Sequence, residues 1–187
     1  MQSKKPLDIF MLSSVLRVNN IDIKTLRENE KMINYFKTLS NYPSLLLTMI
    51  CEQNKNFSEE ISLNASIQLK NYINSFWKNN NNINTNNLGD EENIIIDEEN
   101  KKYLRMKIWD AVIYIIEIEN INILKQLNQC LKKILKYDLK ENKIEYNQKF
   151  LYKVIICLSS KNLKKIYAGI NLFYQLSKVF ELIGVFP

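Results

Sequence analysis

The chain of 187 residues contains no histidine, and only three glycines, three prolines and three cysteines. Without histidine there is no Ser-His-Asp or Cys-His catalysis, no histidine-ligated metal and no imidazole proton shuttle. Sandwiches and barrels need turn residues every few positions, so the scarcity of Gly and Pro argues against them and against loop-built sites. Cys51, Cys130 and Cys157 are odd in number, widely spaced and set in apolar runs. They read as small core residues in a reducing compartment rather than a disulfide frame or a metal knuckle. No apolar stretch approaches the ~18 residues of a membrane span, and the opening MQSKKPLD has no signal-peptide core. A soluble, intracellular protein that meets no membrane is expected. Gly89, Gly169 and Gly184 are too dispersed for a phosphate-cradling loop.

What is present is apolar and basic. Apolar residues make up 46% of the chain and charged residues 25%, enough for a sizeable core and against wholesale disorder. The net charge of +6 is uneven. Residues 1–77 hold nine basic and seven acidic groups, residues 78–100 one and six, and residues 101–187 sixteen and seven. The cationic excess therefore belongs to the C-terminal half.

Apolar residues recur at helical spacing throughout. Leu7, Phe10, Met11, Val15 and Val18 form a first stripe that Asn19 and Asn20 break. Asp22 can cap a second helix carrying Leu26, Met32, Ile33, Tyr35, Phe36 and Leu39. Pro43 suits the first turn of a third, through Leu45, Leu46, Met49 and Ile50. Ser58 precedes Glu59 and Glu60, an N-cap with acids at the positive end of a helix that runs to Trp77. Residues 78–97, rich in asparagine and acids, show no helical period and read as a mobile insertion. Asp97 restarts the pattern with Leu104, Ile108, Trp109, Val112, Ile115 and Ile116. Ile123 to Leu135 form the next helix, and a polar connection is expected over Tyr137–Gln148. Leu151, Val154, Ile155 and Leu158 precede a turn at Ser159 and Ser160. The last helix carries Leu163, Ile166, Tyr167, Ile170, Phe173, Tyr174 and Phe180.

Eight helices make four antiparallel pairs of roughly 44 residues each, inside the ~40–47 residues of HEAT and armadillo units. The expected fold is all-α, a right-handed α-solenoid of about four HEAT-like helix pairs, because each pair has two apolar faces that only stacking buries. A compact eight-helix globule is the alternative. The division is residues 1–77 for the first two pairs, 78–97 for the insertion and 98–187 for the third and fourth pairs.

The stretch ASIQLKNYINSFW over Ala65–Trp77 resembles the signature helix near the N-terminus of the importin-β (karyopherin) family, with a small pair, a Leu-Lys-Asn run and a closing Trp. LLLTMICEQ, from Leu45, is similar to the preceding helix of importin-seven and importin-eight type members. Tyr103–Asp138 resembles that family's third pair, with its Lys-x-Asp ending at Lys136, Tyr137 and Asp138, and Phe173–Lys178 the end of the fourth. Where the family has a basic residue and then a small one, this chain has Ser62 and Asn64.

The resemblance implies an N-terminal part of a nuclear transport receptor that shuttles between cytoplasm and nucleus and is found at the nuclear envelope. It implies binding of the small GTPase Ran in its GTP form through the second helix of each pair, here residues 22–40, 58–77, 122–136 and 161–182. Cargo proteins and nucleoporins would bind through parts outside this chain. Ran and cargo would bind competing states of a flexible superhelix, each weakening the other. The candidate Ran-binding residues are Arg27, Glu30, Lys31 and Asn34; then Asn64, Gln68 and Asn71, on the face opposite Leu69, Tyr72 and Phe76, with Lys70 beside them; then Gln126, Gln129 and Lys133.

The same residues have plainer readings. Asn64, Gln68, Asn71 and Ser75 can be solvated surface, and Lys125, Gln126, Gln129, Lys132, Lys133 and Lys136 a solvated charged face. RNA binding fits that face less well, since exposed stacking aromatics are wanted and here the aromatics fall on apolar stripes. The acids from Asp90 to Glu99 lack the spacing of an EF-hand. No cofactor, metal or catalytic residue is expected, and the chain reads as no enzyme. The competing function is a HEAT scaffold or regulatory subunit without a Ran link.

Overall fold

A computed structural model describes residues 6–17, 22–52, 55–77, 96–141, 144–182 and 184. The described residues hold eight helices and no strand: α1 (Ile9–Val15), α2 (Ile23–Phe36), α3 (Tyr42–Cys51), α4 (Glu59–Phe76), α5 (Glu98–Glu117), α6 (Ile121–Lys140), α7 (Ile144–Leu158) and α8 (Leu163–Leu182). The all-helical fold is as expected, and it is consistent with HEAT-like pairing. Asn19, Asn20 and most of the 78–97 insertion lie outside the described residues.

Helix starts follow the capping chemistry. The Asp22 carboxylate accepts from the Thr25 amide at 2.8 Å, and the Asp97 carboxylate from the Asn100 amide at 2.7 Å. The Asn120 side chain accepts from the Ile123 amide at 3.1 Å, and Ser58 makes a longer cap to Ile61 at 3.4 Å. Each satisfies an amide that the first helical turn leaves without a carbonyl. Pro43 occupies the first turn of α3, where a missing N–H costs nothing.

The chain divides into two compact units, residues 1–102 and 103–187. In the first, α3 packs along α4, and α1 against α2. Small residues let α3 and α4 approach: Ser62, Ala65 and Ser66 are fully buried, and the Ser62 hydroxyl donates to the Met49 carbonyl at 2.9 Å. That contact explains why no basic side chain stands at 62, since its charge would be buried there. Leu46, Met49, Ile50, Leu69 and Ile73 are completely enclosed, each such side chain adding ~1.5–3 kcal/mol of burial. Tyr42 sits edge-on to Tyr72 at 5.4 Å, and Tyr72 is tilted against Phe76 at 5.2 Å. Polar ties close the unit. Asn41 bonds both the amide and the carbonyl of Leu7, and Asn100 donates to the Ser40 carbonyl at 2.6 Å.

In the second unit α8 packs along both α7 and α6, and α6 against α7. Gly169 permits the α7–α8 approach: a Cβ there would stand 3.0 Å from Cys157 Cβ and 3.0 Å from the Leu158 side chain. Asn128 and Asn171 exchange amide hydrogen bonds at 3.1 and 3.0 Å across α6 and α8.

The expected connection over Tyr137–Gln148 is corrected: α6 continues to Lys140 and α7 begins at Ile144. The reason is a buried ion pair. Asp138, polar in sequence, accepts from Arg105 Nε at 3.0 and 2.9 Å and from Nη2 at 2.9 Å, with the two side chains 4% and 3% exposed. The Arg105 guanidinium also lies 4.9 Å from the Tyr146 ring centroid. This cluster holds the end of α6 to α5 and the start of α7, so polar residues there extend helices instead of ending them.

The last stripe is also corrected. Leu163, Tyr167, Ile170, Phe173 and Tyr174 are exposed, while Ala168, Gly169, Leu172, Leu176 and Val179 are buried. On α2, Leu26, Met32 and Tyr35 are exposed as well. Spacing tells which residues share a face, not whether another element covers it.

Candidate functional site

The candidate residues divide between the two units, and each group is a property of its own helix. On α2, Arg27, Glu30, Lys31 and Asn34 follow one another at steps of three, one and three and are all exposed. They form a mixed-charge face. Asn34 accepts from Lys37 at 2.8 Å.

On α4 the polar face is real but not uniform. Asn71 is exposed, while Gln68 and Lys70 are half-buried; none of the three makes a side-chain hydrogen bond among the described residues. Asn64 is different. Its side-chain amide donates to the Leu16 carbonyl at 2.8 Å, tying α4 to the end of α1. That carbonyl caps no further helical turn, and the side chain satisfies it. A chain-distant bond of this kind has no signal in sequence, where position 64 reads only as one more polar residue on a helical face. On the opposite side Leu69, Tyr72 and Trp77 are buried and Phe76 half-buried, as the stripe requires.

Burial raises the pKa values of the aromatic pair behind this face. The Tyr72 hydroxyl is pushed up to about 12, by burial first and then by the Asp97 carboxylate. Burial drives Tyr42 further in the same direction, with Tyr72 adding to it, and its hydroxyl has no hydrogen-bond partner among the described residues.

On α6 the candidate residues lie beside a ladder of lysines. Gln129 and Lys125 are exposed, and Gln126, Lys132, Lys133 and Lys136 half-buried. Lys133 lies 5.3 Å from the Tyr137 ring centroid, so its charge is held over an aromatic face. The Gln126 side-chain oxygen is buried without a hydrogen-bond partner among the described residues. None of Lys125, Lys132 and Lys136 forms an ion pair there, whereas Lys149, Lys153, Lys164 and Lys178 each contact a carboxylate within 2.8 Å.

An open concave feature of the second unit lies at the N-terminal ends of α6 and α8. Ile115, Ile116, Ile121, Leu124, Leu163 and Tyr167 line an open groove of about 490 Å³. Glu119 borders it with φ of 62°, the left-handed region that a non-glycine residue rarely adopts. Its carboxylate meets Lys164 at 2.7 Å, and Lys164 also donates to the Glu117 carbonyl at 2.8 Å. The hydrogen bond from Lys164, and then its charge, hold the Glu119 carboxyl below the ordinary carboxylate range. Sequence reasoning missed this groove, which comes from three helix ends brought together by packing. Among the described residues no group of three or more His, Cys, Asp or Glu side chains could hold a metal ion, and no helix is long and apolar enough to cross a membrane.

What the arrangement offers is recognition: polar and cationic helix faces, and one apolar groove. Residues 29–113 match the importin-beta N-terminal domain family. The match opens within α2, takes in α3 and α4 entire and closes within α5. It supports kinship with importin-beta proteins over that stretch. Neither the curated proteins nor the solved structures show a significant match to the chain.

Proposed function

We propose that this chain is the N-terminal, Ran-GTP-binding part of a nuclear transport receptor of the importin-β family, of the importin-seven and importin-eight type. The observation that carries the reading is the family match over residues 29–113, which contains the signature helix α4. That helix pairs a buried small-and-aromatic side with a polar side on which Gln68, Lys70 and Asn71 have no side-chain partner among the described residues. Unengaged amides can meet a partner's backbone and side chains without first breaking internal bonds. The further candidates, Arg27, Glu30, Lys31 and Asn34 on α2 and Gln126, Gln129 and Lys133 on α6, belong to the same reading. So does Asn64, whose bond to Leu16 makes it first a support of the fold.

In this reading the second helix of each pair is the one that meets Ran. The mechanism is linkage, not bond chemistry: Ran-GTP and cargo bind different states of one flexible superhelix, and each lowers the other's affinity by the same factor. The protein shuttles between cytoplasm and nucleus. Immobilised chain should retain Ran loaded with a non-hydrolysable GTP analogue and let Ran-GDP pass. Equal capture of both forms, or of neither, would return the chain to the HEAT scaffold reading.

A further inference from the structure

The groove at the N-terminal ends of α6 and α8 and the lysine ladder of α6 are continuous. Ile121, which lines the groove, is followed at helical spacing by Lys125, Gln129, Lys132 and Lys136, so these side chains share one face. From Ile121 to Lys136 the helix rises roughly 22 Å, the reach of about seven extended residues. The apolar end is open: Leu163 is 81% exposed, Ile121 64% and Tyr167 55%. Its one lining carboxylate, Glu119, is already engaged by Lys164. The lysines leading away from it have no carboxylate among the described residues.

We propose that this face docks an acidic linear segment of a partner protein, with one or two bulky apolar side chains seated in the groove and a carboxylate-rich stretch of about seven residues laid along Lys125, Lys132 and Lys136. Charge and shape complementarity favour this occupant, whether or not the chain binds Ran. An apolar anchor removes Leu163 and Tyr167 from water, the main source of affinity in such sites. The carboxylates meet cations that have no internal competitor, which fixes the direction of the segment and speeds encounter. The same unit of a second copy is a poor occupant, since residues 101–187 carry sixteen basic groups against seven acidic ones. Nucleic acid lacks the apolar anchor that the groove is shaped to take.

The test uses the full chain and a fluorescein-labelled peptide with a Phe-Leu anchor followed by seven residues, four of them glutamate. Anisotropy should show saturable binding that weakens with added salt. Leu163→Ser and the pair Lys132→Glu with Lys136→Glu should each weaken it about tenfold or more. All the exchanged side chains lie outside the core, and unchanged far-UV circular dichroism confirms that the fold is retained. Tyr152→Ser, at an exposed apolar residue of α7, should leave binding as it was. No binding of the peptide would overturn the proposal. So would equal binding of its lysine counterpart, an equal loss in Tyr152→Ser, or tighter binding of a single-stranded RNA that displaces the peptide.

Discussion

Removing the Asp138 carboxylate should damage the second unit more than any single surface change. Arg105 and Asp138 are 4% and 3% exposed, and three contacts of 2.9–3.0 Å join them. Asp138→Ala leaves a guanidinium enclosed without that carboxylate, with the Tyr146 ring 4.9 Å away as a weak substitute. Breaking a buried pair from one side costs roughly 3–5 kcal/mol, a large share of the ~5–15 kcal/mol that holds an ordinary domain together. The double exchange Arg105→Met with Asp138→Leu removes both desolvation penalties and should return to within about 1 kcal/mol of the native chain. Urea unfolding reports this directly, because Trp109 stacks on Phe150 at 5.7 Å beside the cluster and its emission changes when α5 and α7 part. A single Asp138→Ala loss below about 1 kcal/mol would refute the reasoning. So would a double variant no better than the single one.

Three further outcomes follow from the packing. With its pKa raised to about 12 in the fold against an ordinary 10.0, Tyr72 keeps its proton in the folded state when the unfolded chain loses it. Stability is then complete below pH ~10 and falls through the window up to ~12, by about 3 kcal/mol for this group; unfolding at stepped alkaline pH, with the 295 nm absorbance of ionised tyrosine, would show it, and a flat profile would not fit. Gly169→Val should lower stability by ~1–3 kcal/mol, because Cys157 Cβ at 3.0 Å sits next to its own backbone and cannot swing aside; thermal unfolding measures this. Asn64→Ala should cost ~1 kcal/mol of stability by stripping the Leu16 carbonyl of its donor, whereas Asn71→Ala should cost almost none; paired denaturation curves separate the two.

Much of the fold was legible because its signals are local. Asp22, Ser58 and Asp97 mark helix starts through a chemistry confined to one turn, and each caps where its spacing predicts. The apolar spacing of Ile61, Ala65, Leu69 and Tyr72 likewise shows which side of α4 faces inward. What escaped depends on partners distant in sequence. Asp138 looks like the start of a polar connection until Arg105, thirty-three residues earlier, is beside it. Asn64 looks like free surface until the end of α1 arrives, forty-eight residues away. On α8 an apolar period is present, yet Tyr167, Ile170 and Phe173 face outward and Ala168, Leu172 and Leu176 inward, because small Gly169 rather than the bulky residues sets the contact with α7. The candidate polar faces were readable from spacing alone; the groove at Ile121 and Leu163 was not, as it exists only once three helix ends meet.

Calorimetric titration of the chain with Ran, carried out once with a non-hydrolysable GTP analogue bound and once with GDP, bears most closely on whether this is a transport-receptor domain. Binding is expected for the GTP-analogue form alone, and it should weaken about tenfold when Gln68 and Asn71 are both changed to alanine while the urea midpoint stays in place. Identical isotherms for the two nucleotide states, or full affinity in the double variant, would contradict it.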